Sequence, residues 1–178
     1  AFAAHPDDIE IGCFGTLYQF AGLGSKIHAF FCTGNKERIK ESAEAINLLP
    51  KDSFSFNVLG YENNKIPYST EIITIIDNLL DKIQPDLVIT HWVGDNQQDH
   101  QNIAKSVISA CRKRDTIWMM EPPPGRPPIS GVFRPQVYVD ISRAADIKNQ
   151  AVKKHKSQLK RLNVDDTFDP IQSRSKIG

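Results

Sequence analysis

The run AHPDDIEIGCFGTL places His5, Asp7 and Asp8 within four positions, where a short apolar stretch gives way to a helix-forming one. His5 and Asp8 are three apart at this predicted strand-to-helix turn, a spacing that puts two side chains on one face of a helical turn. An imidazole and a carboxylate so placed are a common ligand pair for a divalent transition metal. Asp7 points elsewhere, so it can approach a water on such a metal without ligating it. Capping a helix N-terminus is the structural alternative for the aspartates, because the helix dipole favours anions there. Capping accounts for one aspartate, but not for two beside a histidine.

A catalytic zinc usually takes three protein ligands and keeps one position open. The segment HWVGDNQQDH offers candidates for the third: His91, Asp95, Asp99 and His100. His100 begins a predicted helix and is the best third ligand. Two histidines and one carboxylate suit Zn2+ and equally Fe2+. Such a centre would lower the pKa of a bound water from about 15.7 to near 7.

The elements that must position these residues alternate along the chain. AFAA reads as the stub of a first strand, followed by a helix over 12–24. Strands are predicted over 26–33, 55–61, 85–92 and 116–121, with helices over 36–49, 70–83 and 99–114. Apolar residues at Ile39, Ala43, Ile46 and Leu49 give the second helix its buried stripe, and Pro50 ends it. Strands separated by helices imply right-handed crossovers and a mostly parallel sheet, whose ligands bind beyond the carboxyl ends of the strands. The first turn and the 91–100 loop then open on the same edge. The Pro- and Gly-rich stretch 122–135 excludes helix and central strand; it reads as a surface excursion or as a loop covering a substrate. A last strand is expected over 135–142 and a basic amphipathic helix over 143–162. The tail from Val164 has no clear periodicity.

Composition sets the outer limits. The 178 residues carry 22 Lys and Arg against 21 Asp and Glu, and this near-neutral balance argues against nucleic-acid binding by bulk electrostatics. No apolar run is long enough to span a bilayer. Cys13, Cys32 and Cys111 lie in apolar segments without CxxC spacing, which favours free buried thiols, a reducing compartment and a cytoplasmic location.

AHPDDIEIGCFGTL followed by DNQQDHQNIAKSVISACR resembles the PIG-L/LmbE-like family of zinc-dependent N-acetylglucosaminyl deacetylases. Arg38 with Glu41 matches the RxxE helix of that family, and the HKSQ run at 155–158 resembles its C-terminal region. The resemblance implies a Rossmann-like three-layer α/β fold, here a single domain over 1–178 that is expected to be incomplete at both termini. It implies metal held by His5, Asp8 and His100, Asp7 as general base, and Arg38 near the substrate; an ordinary i,i+3 helix pair with Glu41 is the other reading of Arg38. The chain departs from the family's HxDH motif at Gln97, where histidine is usual. A glutamine amide can donate to an oxyanion but cannot deliver a proton. Asp7 would then handle both proton transfers, or His91 or His155 would substitute at the substrate. Asp99 would orient groups around the metal.

The reaction implied is hydrolysis of an N-acetyl group from an amino sugar or sugar conjugate, releasing acetate. A degenerate metal-binding domain of the same fold and a nucleotide-binding Rossmann-like protein are the competing readings. Gly12 and Gly15 do not complete GxGxxG, and the acidic pair would repel phosphates. Expected partners are an N-acetylated sugar and no nucleic acid or membrane span; self-association into a homo-oligomer is left open by the sequence.

Overall fold

The computed structural model describes residues 1–114, 116–123 and 131–161. Five strands appear: β1 (Phe2–Ala3), β2 (Ile27–Thr33), β3 (Phe54–Tyr61), β4 (Val88–His91) and β5 (Ile117–Met120). The helices are α1 (Asp8–Gly12), α2 (Phe14–Gly22), α3 (Lys36–Ile46), α4 (Thr70–Ile83), α5 (Gln98–Ala110), α6 (Ala145–Lys153) and α7 (Lys156–Arg161). Every strand ladder among the described residues is parallel: β1 with β2, β2 with β3, and β4 with β5. β4 lies beside β1, so the strands run spatially 3-2-1-4-5, the order of a doubly wound α/β fold.

Residue alternation along the central strands builds the two cores. Phe2, Ala4, Phe30 and Cys32 pack with α4 and α5 through Ile72, Ile76, Leu80, Ile103 and Val107. Ala3, Ala29 and Phe31 face the opposite side, toward Ile9, Cys13 and Leu17 of the α1–α2 region and Ile46 of α3. Period 2 in the strands and period 3.6 in α4 thus place helices on both faces of the sheet. This is the three-layer α/β arrangement expected from the sequence. α1 and α2 break at Cys13, and the helical region begins at Asp8, four residues ahead of the expected 12–24 helix. Among the described residues, no helix is long and apolar enough to cross a membrane.

Two expectations need correction. The stretch 135–142 is not a strand: Val137 and Tyr138 are exposed, and nothing described ladders with them. Strand propensity without a neighbouring strand is not enough to form one. The segment instead lies over α2, where Gln19 Nε2 donates to the Asp140 carbonyl, and it walls a cavity of about 460 Å³ with Trp92, Trp118 and Met120. The 143–162 helix is also interrupted. A 3₁₀ turn at Ser142–Ala144 leads into α6, which stops at Lys153, and α7 restarts at Lys156. Tertiary contacts of His155 and Ser157 override local helix propensity there. Of the long loop, residues 124–130 lie outside the described residues, as do 162–178, which include the tail.

Gly15 shows how tightly the 131–141 segment is seated. A Cβ added there would meet Ile141 side-chain atoms at 2.9–3.1 Å. Gly15→Val should therefore lower stability by about 1–3 kcal/mol through overpacking, more than the few tenths that helix propensity returns. Chemical denaturation reads this; an unchanged midpoint would mean that Ile141 does not rest on α2.

Candidate functional site

The carboxyl ends of β1 and β4 and the N-termini of α1 and α5 meet at Asp8. β1 ends as the chain turns at His5, whose N–H donates to Asp8 Oδ2 at 2.7 Å. Three imidazoles surround the Asp8 carboxylate: His5 Nδ1 at 3.3 Å, His91 Nε2 at 3.3 Å and His100 Nε2 at 3.4 Å. Burial opposes the Asp8 charge, yet the neighbouring imidazoles, His100 foremost, hold its carboxyl well below the usual range.

Each imidazole is oriented from its far side. His5 Nε2 lies 3.1 Å from Asp99 Oδ2, so it carries the proton and leaves Nδ1 facing Asp8. Asp99 is fully buried and also accepts from the Asn64 and Ile66 backbone N–H groups, tying the β3–α4 connection to His5. His100 Nδ1 donates to Asp95 Oδ2 at 2.9 Å. His91 Nε2 accepts the Ala4 N–H at 3.0 Å, and the His91 ring stacks on His100 with centroids 3.9 Å apart. Burial pushes the His91 pKa down, so it stays neutral and braces His100.

Metal-ligating side chains come together in two overlapping groups, His5–Asp8–His100 and His91–Asp95–His100; within each, the ligand atoms lie within 4.8 Å of one another. The donor chemistry favours the first. Asp95 is already committed to His100 Nδ1 and to the Gln97 N–H, and His91 Nε2 to Ala4. His100 Nε2, by contrast, is buried without a hydrogen-bond partner and faces Asp8. A carboxylate behind each of two imidazoles is the arrangement that fixes metal-ligating histidines.

Asp7 stands beside this cluster. Its φ of 110° is in the left-handed region, which a non-glycine residue holds only when its surroundings impose it. Arg38 of α3 imposes it: Nη2 donates to Asp7 Oδ1 at 2.8 Å and also to the Pro6 carbonyl. Burial and the adjacent Asp8 raise the Asp7 pKa to about 7, against the pull of Arg38 and His155. Arg38 thus turns to Asp7, while Glu41 accepts from Ser157 N–H and Oγ.

Gln97 is the N-cap residue of α5 and half-buried. His155 lies apart from the histidine cluster, 1% exposed, with Nε2 3.3 Å from Glu10 Oε1. Two roles escaped the sequence reading. Asp95 entered it only as a candidate third ligand, whereas it stands behind His100; the signal was its place five residues earlier in one polar loop. Glu10 did not enter it at all, and its signal was faint, an acid three residues after Asp7 between Ile9 and Ile11.

The family model described as PIG-L, GlcNAc-PI de-N-acetylase, matches residues 1–111. The chain belongs to this family. The uncharacterized deacetylase YaiS of Escherichia coli K12 is 30% identical over 169 residues, spanning 88% of this chain and 89% of YaiS. The conserved protein TT1542 of Thermus thermophilus superposes with a TM-score of 0.76 at 25% identity, over 89% of this chain and 78% of that one. The N,N'-diacetylchitobiose deacetylase of Pyrococcus horikoshii shares the fold, with a TM-score of 0.72 at 21% identity over 88% of this chain and 68% of that one. Family and relatives together support an amide-hydrolysing deacetylase.

The electrostatics of the cluster set a stability profile. Burial works against a charged His100, but Asp8 and Asp95 raise its pKa to about 9 from 6.5. A folded-state pKa above the unfolded one contributes stability that is complete below 6.5 and is lost as pH rises through 9. With chelator present, the melting temperature should fall across that interval, and Asp95→Asn should flatten the fall. Calorimetry over pH 6–10 checks it; a wild-type profile level across the interval would contradict the assignment.

Proposed function

We propose that this chain is a metal-dependent N-deacetylase that hydrolyses the N-acetyl group of an amino sugar or sugar conjugate and releases acetate. One observation carries the reading. A carboxylate with a pKa of about 7, Asp7, adjoins a His5–Asp8–His100 set in which His100 Nε2 is buried and unpartnered. Those three residues would hold Zn2+, or Fe2+, which suits the same donors. When bound, the metal supplies Lewis acidity that lowers the pKa of water and polarises the amide carbonyl.

Asp7 Oδ1 is engaged by Arg38, which leaves Oδ2 to receive the proton of the attacking water. Water adds to the amide carbon, the C–N bond breaks, and Asp7 Oδ2 returns the proton to the leaving amine nitrogen, giving acetate and a free amino sugar. A carboxylate poised near neutral pH can serve in both directions. The Gln97 amide contributes a neutral donor toward the oxyanion, which is why both transfers fall to Asp7. The family's description, GlcNAc-PI de-N-acetylase, and the chitobiose deacetylase of like fold make N-acetylglucosamine conjugates the first substrates to try.

Acetate release from N-acetylglucosamine, N,N'-diacetylchitobiose and inositol-linked N-acetylglucosamine should be seen with zinc and be abolished by a chelator. Asp7→Asn, which tolerates the same backbone conformation, should keep its metal and lose about 10²–10⁴-fold in turnover. Near-normal turnover in Asp7→Asn would remove it as the base. Stoichiometric metal with no acetate from any sugar would favour a degenerate metal-binding domain.

Metal content tests the ligand set separately. His5→Ala, Asp8→Ala and His100→Ala should each lose bound zinc by atomic absorption, since a three-ligand site rarely survives on two. Full occupancy in any one would exclude that residue.

A further inference from the structure

A second buried polar cluster adjoins Asp7. Glu10 and His155 are both at most 1% exposed, and His155 Nε2 lies 3.3 Å from Glu10 Oε1. Two residues on, Ser157 gives its N–H to Glu41 Oε1 at 2.7 Å and its hydroxyl to Oε2 at 2.6 Å. Both carboxylates belong to helices that carry the Asp7 machinery. Glu10 is three residues after Asp7 on α1, and Glu41 is three residues after Arg38 on α3. α6 packs on both α1 and α3, and α7 packs on α3.

Stability alone does not account for such a cluster, because a buried ion pair returns about what its desolvation costs. Its placement does. The Asp7–Arg38 contact holds only while α1 and α3 keep their relative position, and Asp7 has no side-chain capping bond to fix it otherwise. We propose that Glu10 and His155, with the adjoining Ser157–Glu41 contact, are positioning residues for Asp7. The α6–α7 corner grips α1 and α3 through one buried carboxylate each, so that Arg38 meets Asp7 in its strained backbone conformation. The break between α6 and α7 serves the same contact: with α7 starting at Lys156, the Ser157 N–H belongs to a first turn and is free for Glu41 Oε1. The catalytic consequence rests on the reading of Asp7 as general base.

His155→Ala, His155→Gln, Asp7→Asn and the double variant Asp7→Asn/His155→Ala are compared in zinc-loaded full-length protein. The readouts are acetate-release kinetics and hydrogen exchange of the Ile11 amide, which donates to the Asp7 carbonyl at 2.9 Å. His155→Ala should lower kcat by about 10–10²-fold with KM little changed, the size expected when a reacting group is misplaced by roughly an ångström. It should speed Ile11 exchange about tenfold while β2 amides keep their protection. His155→Gln, whose terminal amide nitrogen takes the place of Nε2, should recover most of both. In the Asp7→Asn background the histidine change should cost no further kcat, since residues acting as one unit are non-additive. Additive losses, or unchanged Ile11 exchange in folded His155→Ala, would overturn the proposal. Normal turnover of Asp7→Asn alone would instead sink the base reading and leave positioning to be judged by exchange. If His155→Ala does not fold, Ser157→Ala takes its place, and unchanged kcat and Ile11 exchange there would overturn the proposal equally.

Discussion

The Asp8 carboxylate is the constraint around which the rest of this structure is arranged. An ionised carboxyl buried at the edge of a sheet costs several kcal/mol unless opposite charge and hydrogen bonds meet it. Here the His100 imidazole, its pKa raised to about 9, and the His5 N–H do so, with His5 and His91 alongside, and each imidazole then has to be fixed in turn. Asp99 orients His5 and draws in the backbone of Asn64 and Ile66. Asp95 orients His100, and the Ala4 N–H orients His91 across the junction of β1 and β4. Satisfying one buried charge therefore ties together β1, β4, α5 and the connection after β3.

Adjacent aspartates are held in opposite states by what surrounds them. Asp8 faces imidazoles and is kept ionised; Asp7 lies between Asp8 and Arg38 with Glu10 and His155 nearby, and burial beside Asp8 takes its pKa to about 7. Environments that push two neighbouring titratable groups apart are how one short motif separates a binding role from a proton-transfer role. The left-handed backbone at Asp7 is the geometric counterpart, because it turns one carboxylate away from the other. That strain persists because Arg38 bonds both the Asp7 side chain and the Pro6 carbonyl.

Much of the architecture was legible along the chain. The helix expected over 70–83 coincides with α4, whose Ile72, Ile76 and Leu80 are all buried, since a 3.6-residue apolar period has few other solutions. The strands β2 and β4 were visible as short apolar runs, the pattern of strands covered on both faces. The stretch 135–142 looked equally strand-like, yet forms none, because a strand needs a partner and sequence does not say whether one is adjacent. Arg38 read equally as a residue near the substrate or as a local helix pair with Glu41; each instead reaches a residue distant in sequence, Asp7 and Ser157.

The sequence by itself determined the residue types and spacings of His5, Asp7, Asp8 and His100, and the alternation of strands and helices that delivers both loops to one sheet edge. Tertiary structure alone decided which nitrogen of each imidazole faces Asp8, that Asp95 stands behind His100, and that the chain bends at His155 to reach Glu10. Those outcomes depend on which buried polar groups meet across distances of many residues. A chain read in order carries local propensity and periodicity, whereas the pairing of buried charges is settled only when separate elements pack together and each must find its partner.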